Sequence, residues 1–194
     1  MQSLTDQEVM LKYQEGEAQA MDELLRRFKN PVYHFAFRLS LNACEAEDIT
    51  QEVFLRLHQY KLAYKPTAKL STWIFSIAHN IYVSRRRKNW RLALWPRKED
   101  KENELADVQS SDPSPQEVTS NSEMSEILRK CIQSLPFLQK EALILREFEN
   151  LDYQEIAKVL KISLGAVKTI IHRARMNLKD KLLPLLDEFG GYNV

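Results

Sequence analysis

The chain has 194 residues, which is enough for one domain of ordinary size or for two small ones. Its composition, 44% hydrophobic and 28% charged, excludes a globally disordered chain, and its four glycines count against both a β-rich fold and a glycine-rich phosphate loop. There is no run of about 18 apolar residues, and the N-terminus lacks a basic segment followed by an apolar one, so neither a transmembrane helix nor a signal peptide is expected. These features predict a mostly helical, intracellular protein.

The formal net charge of +1 conceals a strong pattern along the chain. Residues 79–98 contain seven basic and no acidic side chains, residues 99–126 contain nine acidic and one basic, and residues 153–182 contain seven basic and two acidic. Two basic blocks therefore flank one acidic block.

The acidic block is also the predicted linker. Residues 107–122 include two prolines and five serines and have little to bury, so this segment does not fold alone. We therefore expect a helical domain over residues 1–95, an acidic linker over 96–122 and a smaller helical domain over 123–194. An acidic loop without a role is the alternative for the linker.

The first elements of the N-terminal domain are predicted to be helices. Residues 5–8, TDQE, have the form of a capping box and begin a helix that Gly16 ends. A second helix is expected over residues 18–28, Pro31 marks a turn or a fresh start, and an aromatic-rich helical segment follows over residues 32–39.

The rest of this domain combines a helix, a loop and a basic helix. A helix is predicted over residues 44–60, a loop over 61–69, and a further helix begins at Leu70 and ends in the basic run 85–88. Basic side chains bind phosphates and aromatic rings stack on unpaired bases, so the pattern is typical of a surface for melted or single-stranded nucleic acid. For Trp73 a core position is the alternative. The aromatic residues that interleave with the basic run are Tyr64, Trp73, Phe75, Tyr82 and Trp90.

The C-terminal domain contains a predicted helix-turn-helix. Two helices are expected over residues 123–133 and 137–149. The residues DYQE, 152–155, form a second capping-box pattern before a helix over 153–160, and Ser163 is the predicted N-cap of the last helix. The short connection and the basic face of the last helix indicate DNA binding in the major groove.

Three segments resemble the extracytoplasmic-function (ECF) class of bacterial RNA polymerase sigma factors. Asp48–Phe54 is similar to the D-x-x-Q-E-x-F helix of region 2.2 in that family, and Ser71–Asn80 is similar to the T-W-L-x-x-I-A-x-N segment of regions 2.3 and 2.4. The series from Leu135 to Arg175 is similar to region 4. The resemblance covers most of the chain and implies an all-α fold, in which a region 2 helical bundle and a region 4 helix-turn-helix are joined by a flexible acidic linker.

The resemblance also implies which residues bind which partner. Core polymerase, through the clamp helices of its β′ subunit, would be bound by Asp48, Gln51, Glu52, Phe54 and Leu55. The −10 promoter element would be melted and held by Tyr64, Lys65, Lys69, Thr72, Trp73, Ser76, Asn80, Arg85, Arg86, Arg87 and Lys88. The −35 element would be read by Ser163, Lys168, Thr169, His172, Arg173 and Arg175. The apolar surface of the C-terminal domain would hold the β flap tip.

Further expectations follow from the same resemblance. The protein would be a sigma factor for a stress or envelope type of promoter. It would be cytoplasmic, with no membrane insertion of its own. An anti-sigma factor would restrain it and could hold it at the inner membrane. Ile170 and His172 depart from the family pattern, which leaves the −35 sequence open. The modest basic charge beside an acidic linker predicts weak DNA binding without core polymerase.

Two other classes of protein fit parts of the sequence. An operator-binding helix-turn-helix regulator acting without polymerase is the alternative, but it leaves residues 73–80 unexplained. An enzyme needs a nucleophile with a base, or clustered carboxylates for a metal, and the four histidines are scattered, so no catalytic residue is predicted. No metal or cofactor is predicted. For Cys44 and Cys131 buried, inert thiols are expected, with redox sensing as the alternative.

Overall fold

The computed structural model describes residues 3–94 and 121–188, and all regular secondary structure in these ranges is helical. The chain divides into two compact units, Met1–Pro113 and Ser114–Val194. The predicted linker lies outside the described residues except at 121 and 122, which are helical.

The first unit contains α1 (Asp6–Gln14), α2 (Ala18–Ser40), α3 (Ala43–Gln59), a single 3-10 turn (Lys61–Ala63) and α4 (Leu70–Leu94). The second unit contains α5 (Asn121–Gln133), α6 (Phe137–Glu147), α7 (Tyr153–Leu160) and α8 (Leu164–Glu188).

The first unit is a bundle in which α2, α3 and α4 pack on one another and α1 packs on α2. Its centre is fully buried and is built from large apolar side chains of each helix. Phe35 and Phe75 meet edge to face, with ring centroids 5.3 Å apart. The largest fully buried side chains of this unit are Met10, Leu24, Phe35, Leu39, Ile49, Leu57, Leu70, Ile74 and Ile81.

The prediction of a turn or a new helix start at Pro31 is wrong, because α2 continues through this residue as one helix of 23 residues. A proline inside a helix removes one backbone hydrogen bond and costs about 3 kcal/mol. Phe28, Val32 and Phe35 are buried on one face of α2, on both sides of the proline. Each such side chain contributes about 1.5–3 kcal/mol when buried, so the tertiary packing outweighs the local preference.

In the second unit α8 packs against α5, α6 and α7. Ile132 and Leu135 meet Leu143 of α6 and Ala174 of α8 in one buried cluster. α4 extends beyond its predicted end in the basic run 85–88, to Leu94, and α8 continues to Glu188. α6 ends at Glu147, two residues before its predicted end.

The two cysteines differ in their environment. Cys131 is buried, as expected, whereas Cys44 is exposed near the start of α3, so the expectation of a buried thiol is wrong for Cys44. The residue has this position because the apolar face of α3 follows Ala46, Ile49 and Val53, which leaves the side chain of Cys44 on the solvent side.

The N-terminal part of the bundle is joined by an ionic cluster around Glu23. Arg27 donates hydrogen bonds to Glu23 at 2.7 Å and to Asp6 of α1 at 2.7 Å, and Arg26 also binds Glu23. Hydrogen bonds from Arg26 and Arg27 lower the pKa of Glu23 from 4.5 to about 2. The cluster links α1 to α2 through Glu23 and Arg27, whose side chains are largely buried, while Arg26 and Asp6 remain partly exposed.

This cluster predicts a loss of stability in acid. Because the pKa of Glu23 is lower in the folded chain, its stabilising effect is fully present above about pH 4.5 and is lost as the pH falls towards 2. We expect Glu23→Gln to lower the free energy of unfolding at pH 7, and the difference from wild type to shrink between pH 5 and pH 2. Urea denaturation followed by circular dichroism at several pH values measures this. A difference that stays constant across this range would contradict the prediction.

Candidate protein- and nucleic-acid-binding surfaces

The residues predicted on α3 form an exposed ridge between two surface grooves. Asp48, Gln51 and Leu55 recur at steps of three and four and are exposed, with Leu55 exposed to 56%. One groove, of about 450 Å³, is apolar, and the other, of about 950 Å³, mixes polar and apolar groups. The apolar groove is lined by Tyr13, Met21, Leu25, Lys29, Thr50, Gln51, Phe54, Leu55 and His58. The mixed groove is lined by Asp48, Gln51, Glu52, Leu55, Arg56, Gln59, Tyr60 and Arg85.

Phe54 differs from the other predicted members of the ridge because it is buried, with 6% of its surface exposed. Its ring forms part of the wall of the apolar groove. Phe54 therefore forms the buried wall of the apolar groove. Gln51 and Leu55 are exposed and line both grooves.

An ion-pair bridge joins α3 to α4 at Glu52. Arg85 donates to Glu52 at 2.9 Å and lies 3.5 Å from Asp48, and Arg56 binds the other oxygen of Glu52. Partial burial raises the pKa of Glu52, but the hydrogen bonds and charges of Arg85 and Arg56 outweigh it, so this pKa lies below its ordinary value. Glu52 and Asp48, which are predicted to bind core polymerase, therefore contact Arg85, which is predicted to bind the −10 element.

The residues predicted for the −10 element are divided between the surface and the interior. Tyr64 and Thr72 are buried, with 4% and 3% of their surfaces exposed, and so are Phe75 and Tyr82 among the interleaved aromatics. These rings and the hydroxyl of Thr72 lie under the surface and have no open face for a base, because their side chains pack into the bundle. The exposed members of the predicted set are Lys65, Lys69, Arg86, Arg87 and Lys88.

The half-buried members of this set lie along α4. The Trp73 indole packs on the ring of Tyr64, with centroids 5.3 Å apart. The rest of the Trp73 side chain is partly accessible to solvent. Ser76 donates to the backbone carbonyl of Thr72 at 2.7 Å, and Asn80 donates to that of Ser76 at 2.7 Å. These bonds restrict the rotamers of the two polar side chains.

Two glutamines of α1, neither of them a predicted site residue, hold the loop before α4. Gln14 donates to the carbonyls of Lys61 at 2.6 Å and Tyr64 at 3.0 Å, and Gln7 donates to that of Ala68 at 3.1 Å. Tyr64 also donates to Ala68 at 3.1 Å. No local pattern predicts these bonds, since the partners are about fifty to sixty residues apart in the chain.

We expect Gln14→Ala to destabilise the first unit by about 1–3 kcal/mol, because two loop carbonyls lose their donor. The matched control is Gln19→Ala, at an exposed position of α2, which we expect to change stability by less than about 0.5 kcal/mol. Urea denaturation of both variants measures the difference. Equal stability of the two variants would show that Gln14 does not hold the loop.

The third surface is the exposed face of the helix-turn-helix formed by α7 and α8. Asp152 caps α7 in a capping box with Glu155, as predicted. Lys161, the C-cap residue after α7, has the left-handed conformation, with φ 57°. Ser163 accepts a hydrogen bond from the backbone N–H of Ala166 at 3.2 Å and is the N-cap of α8, as predicted. The turn is therefore only three residues long.

All six residues predicted for the −35 element are exposed on this surface. Val167, Ile171 and Ala174 of α8 are buried against the unit, which leaves the predicted residues on the opposite face. One of them already has a partner, since Arg175 donates to Glu147 of α6 at 2.6 Å and the pKa of Arg175 is raised by this hydrogen bond. The six residues are Ser163, Lys168, Thr169, His172, Arg173 and Arg175.

Neither described range, 3–94 or 121–188, contains a cluster of three or more His, Cys, Asp or Glu side chains that could hold a metal ion. Within the same ranges, every helix is too short or too polar to cross a membrane.

Comparison with known families matches both units. The family model for sigma-70 region 2 matches residues 24–92, and the model for sigma-70 region 4 matches residues 125–178. The two matches together cover more than half of the chain; the first includes the α3 ridge and most of α4, and the second includes the helix-turn-helix.

Proteins named as RNA polymerase sigma factors align with most of the chain. The chain is 34% identical over 170 residues to ECF RNA polymerase sigma factor SigE of Mycolicibacterium smegmatis, an alignment that covers 86% of this chain and 64% of SigE. It is 28% identical to RNA polymerase sigma factor YlaC of Bacillus subtilis, covering 87% of this chain and 95% of YlaC. It is 29% identical to the RNA polymerase sigma-H factor of Pseudomonas aeruginosa, covering 94% and 96%.

Solved structures show the same fold. The sigma factor RpoE of Bartonella quintana, in complex with the anti-sigma factor NepR, matches with a TM-score of 0.64 and 23% identity, covering 83% of this chain and 95% of RpoE. CnrH, in complex with the cytosolic domain of CnrY, matches with a TM-score of 0.65 and 18% identity, covering 91% and 96%. The chain belongs to the ECF class of the sigma-70 family of RNA polymerase sigma factors. That family consists of sigma factors and not of enzymes.

Proposed function

We propose that the chain binds core RNA polymerase and directs it to promoters of one class, of the stress or envelope type, and that it catalyses no reaction itself. The observation that carries this proposal is that one chain combines an exposed α3 ridge between two grooves with an exposed recognition helix in the other unit. A ridge between grooves suits a helical partner, since helices pack by inserting ridges into grooves.

The α3 ridge is the proposed binding site for the clamp helices of the β′ subunit. Leu55 offers an apolar contact at the centre, Gln51 offers an amide on the same face, and Asp48 adds a carboxylate at its N-terminal end. Phe54 supports the apolar groove and Glu52 holds the mixed groove through its ion pairs. Apolar centres ringed by polar groups are the usual arrangement of a protein interface.

The surface of α4 and of the loop before it is the proposed −10 site. Lys65, Lys69 and the exposed basic side chains at positions 86–88 would bind phosphates. Trp73 and Asn80 would contact a base that is extruded from the melted duplex, and capture of that base compensates for an unstacking cost of a few kcal/mol. Ser76 would contribute from the same face, and the buried Tyr64 and Thr72 would shape the surface from below.

Arg85 has a different proposed role from the other members of the basic run. Its guanidinium is engaged by Glu52 and Asp48, so in the free chain it links the polymerase-binding helix to the DNA-binding helix. It would hold α4 in position, while its more exposed neighbours bind DNA.

The helix-turn-helix is the proposed −35 site. The N-terminal part of α8 would enter the major groove, where Lys168 and Thr169 reach base edges or phosphates and Arg173 and Arg175 bind phosphates. Ser163 and His172 lie on the same exposed face. The partly exposed apolar side chains of Leu138 and Phe148 are proposed contacts for the β flap tip.

An anti-sigma factor is the further proposed partner. RpoE of Bartonella quintana was solved in complex with an anti-sigma factor, and the present chain shares its fold. The proposed location is the cytoplasm of a bacterium, with retention at the inner membrane when the anti-sigma factor is anchored there.

The binding of promoter DNA by the chain alone and together with core polymerase, at physiological salt, tests this proposal. We expect tight and sequence-selective binding only when core polymerase is present, because the basic surfaces of the free chain are small. Equally tight binding without core polymerase would refute the proposal and favour an operator-binding regulator.

A further inference from the structure

Trp90 is an exposed indole near the C-terminal end of α4. With 66% of its surface exposed, it contrasts with Tyr64, Phe75 and Tyr82, the aromatic residues of the same region that are buried. α4 continues to Leu94, six residues beyond the basic run, so a helix holds this indole in place. A single exposed apolar side chain is ordinary, so its neighbours decide whether it has a role.

The neighbours of Trp90 on α4 are basic. Arg86 and Arg87 precede it by four and three residues and therefore lie on the same side of the helix, and Arg91 follows it directly. All three are exposed, and residues 79–98 contain no acidic side chain. An exposed aromatic ring beside several guanidinium groups, with no carboxylate nearby in the sequence, offers a stacking face flanked by phosphate-binding cations, which is the arrangement of surfaces that bind single-stranded nucleic acid.

The position of Trp90 along α4 suits one strand of DNA. Ten residues separate it from Asn80, which corresponds to about 15 Å along the helix axis. At about 100° per residue, Trp90 also lies about a quarter turn around the helix from Asn80, on the adjoining side of α4. A strand that follows α4 from the proposed −10 site would therefore reach the indole.

We propose that Trp90 forms an additional stacking site for an unpaired base of promoter DNA, while Arg87 and Arg91 bind the adjacent phosphates. This inference rests on the proposed function and extends its DNA-binding surface beyond Lys88. Stacking on an aromatic ring tolerates any base, so the site would add affinity for the melted strand and little sequence preference.

The test compares Trp90→Ala and Trp90→Phe in complex with core polymerase. The probe is a labelled promoter oligonucleotide in which the −10 region is unpaired, and a fully paired duplex is the second arm. We expect Trp90→Ala to weaken binding of the unpaired probe by about 5- to 150-fold, and Trp90→Phe, which keeps a ring, to weaken it by less than about 3-fold. Leu183→Ala, at a side chain exposed to 47% on α8 and outside the predicted −35 set, is the control and should have no effect.

Failure of this inference is distinguishable from failure of the proposed function. Affinity for core polymerase is measured first for the wild type and for each variant. A wild-type chain that binds neither core polymerase nor the probe would refute the proposed function. A wild-type complex that binds the probe no better than the Trp90→Ala complex would refute the stacking site alone. An equal loss on the paired and unpaired probes, or a loss of core affinity in Trp90→Ala, would also refute stacking.

Discussion

Leu55→Asp is expected to lower the affinity for core polymerase by at least about 30-fold and to remove promoter-dependent transcription. The substitution places a carboxylate at the centre of the α3 ridge, between the two grooves, where a docked partner would exclude water. The few residues that dominate an interface cluster near its centre and cost about 2 kcal/mol or more each when truncated, and each 1.4 kcal/mol corresponds to a factor of about ten. Because Leu55 is exposed to 56%, the fold should be retained, which thermal denaturation checks.

The matched control is Leu62→Asp, which introduces the same charge at a leucine that is exposed to 77% and lines neither groove. Core affinity, measured by fluorescence anisotropy of a labelled chain, should be unchanged in this control. If Leu55→Asp bound core polymerase as tightly as Leu62→Asp, the α3 ridge would not be the polymerase-binding site.

The second large effect is expected at Arg173. In complex with core polymerase, Arg173→Ala should weaken binding to −35-containing promoters by about 10- to 150-fold, since hydrogen bonds between charged groups contribute about 1.5–3 kcal/mol. If Arg173 binds one phosphate, the slope of the logarithm of affinity against the logarithm of salt concentration should fall by about 0.9. The loss should be similar for promoters that differ in base sequence, because phosphates carry no sequence information.

Lys179→Ala is the control for this measurement, because Lys179 is also an exposed cation of α8 but lies outside the predicted −35 set. Its salt slope should equal that of the wild type. Equal slopes for Arg173→Ala and Lys179→Ala, or a loss at only one promoter sequence, would contradict a phosphate contact from Arg173.

Local patterns in the sequence were sufficient to predict most helix boundaries. The capping boxes at Thr5 and Asp152 depend on residues three positions apart, and both are formed as predicted. Ser163 caps α8 for the same local reason. Pro31 shows the limit of such reasoning, because a local preference of about 3 kcal/mol is outweighed by side chains buried against other helices.

The surfaces are less predictable than the helices because burial and pairing depend on contacts between distant parts of the chain. The motif around residue 72 identifies Thr72 and Trp73 as members of one segment, but only the fold shows that Thr72 is buried while Trp73 is half-buried. The pairing of Glu52 with Arg85 joins residues 33 positions apart. No periodicity could have revealed that these residues, assigned to two different partners, bind each other.

The central claim is that this chain gives core polymerase its promoter specificity, and run-off transcription tests it most directly. The assay uses bacterial core RNA polymerase, with and without the chain, on a library of promoter fragments. We predict transcripts from discrete start sites only when the chain is present, with a shared sequence pair at −35 and −10 among the active fragments. The absence of any stimulated start site, although the chain binds duplex DNA tightly by itself, would contradict the claim.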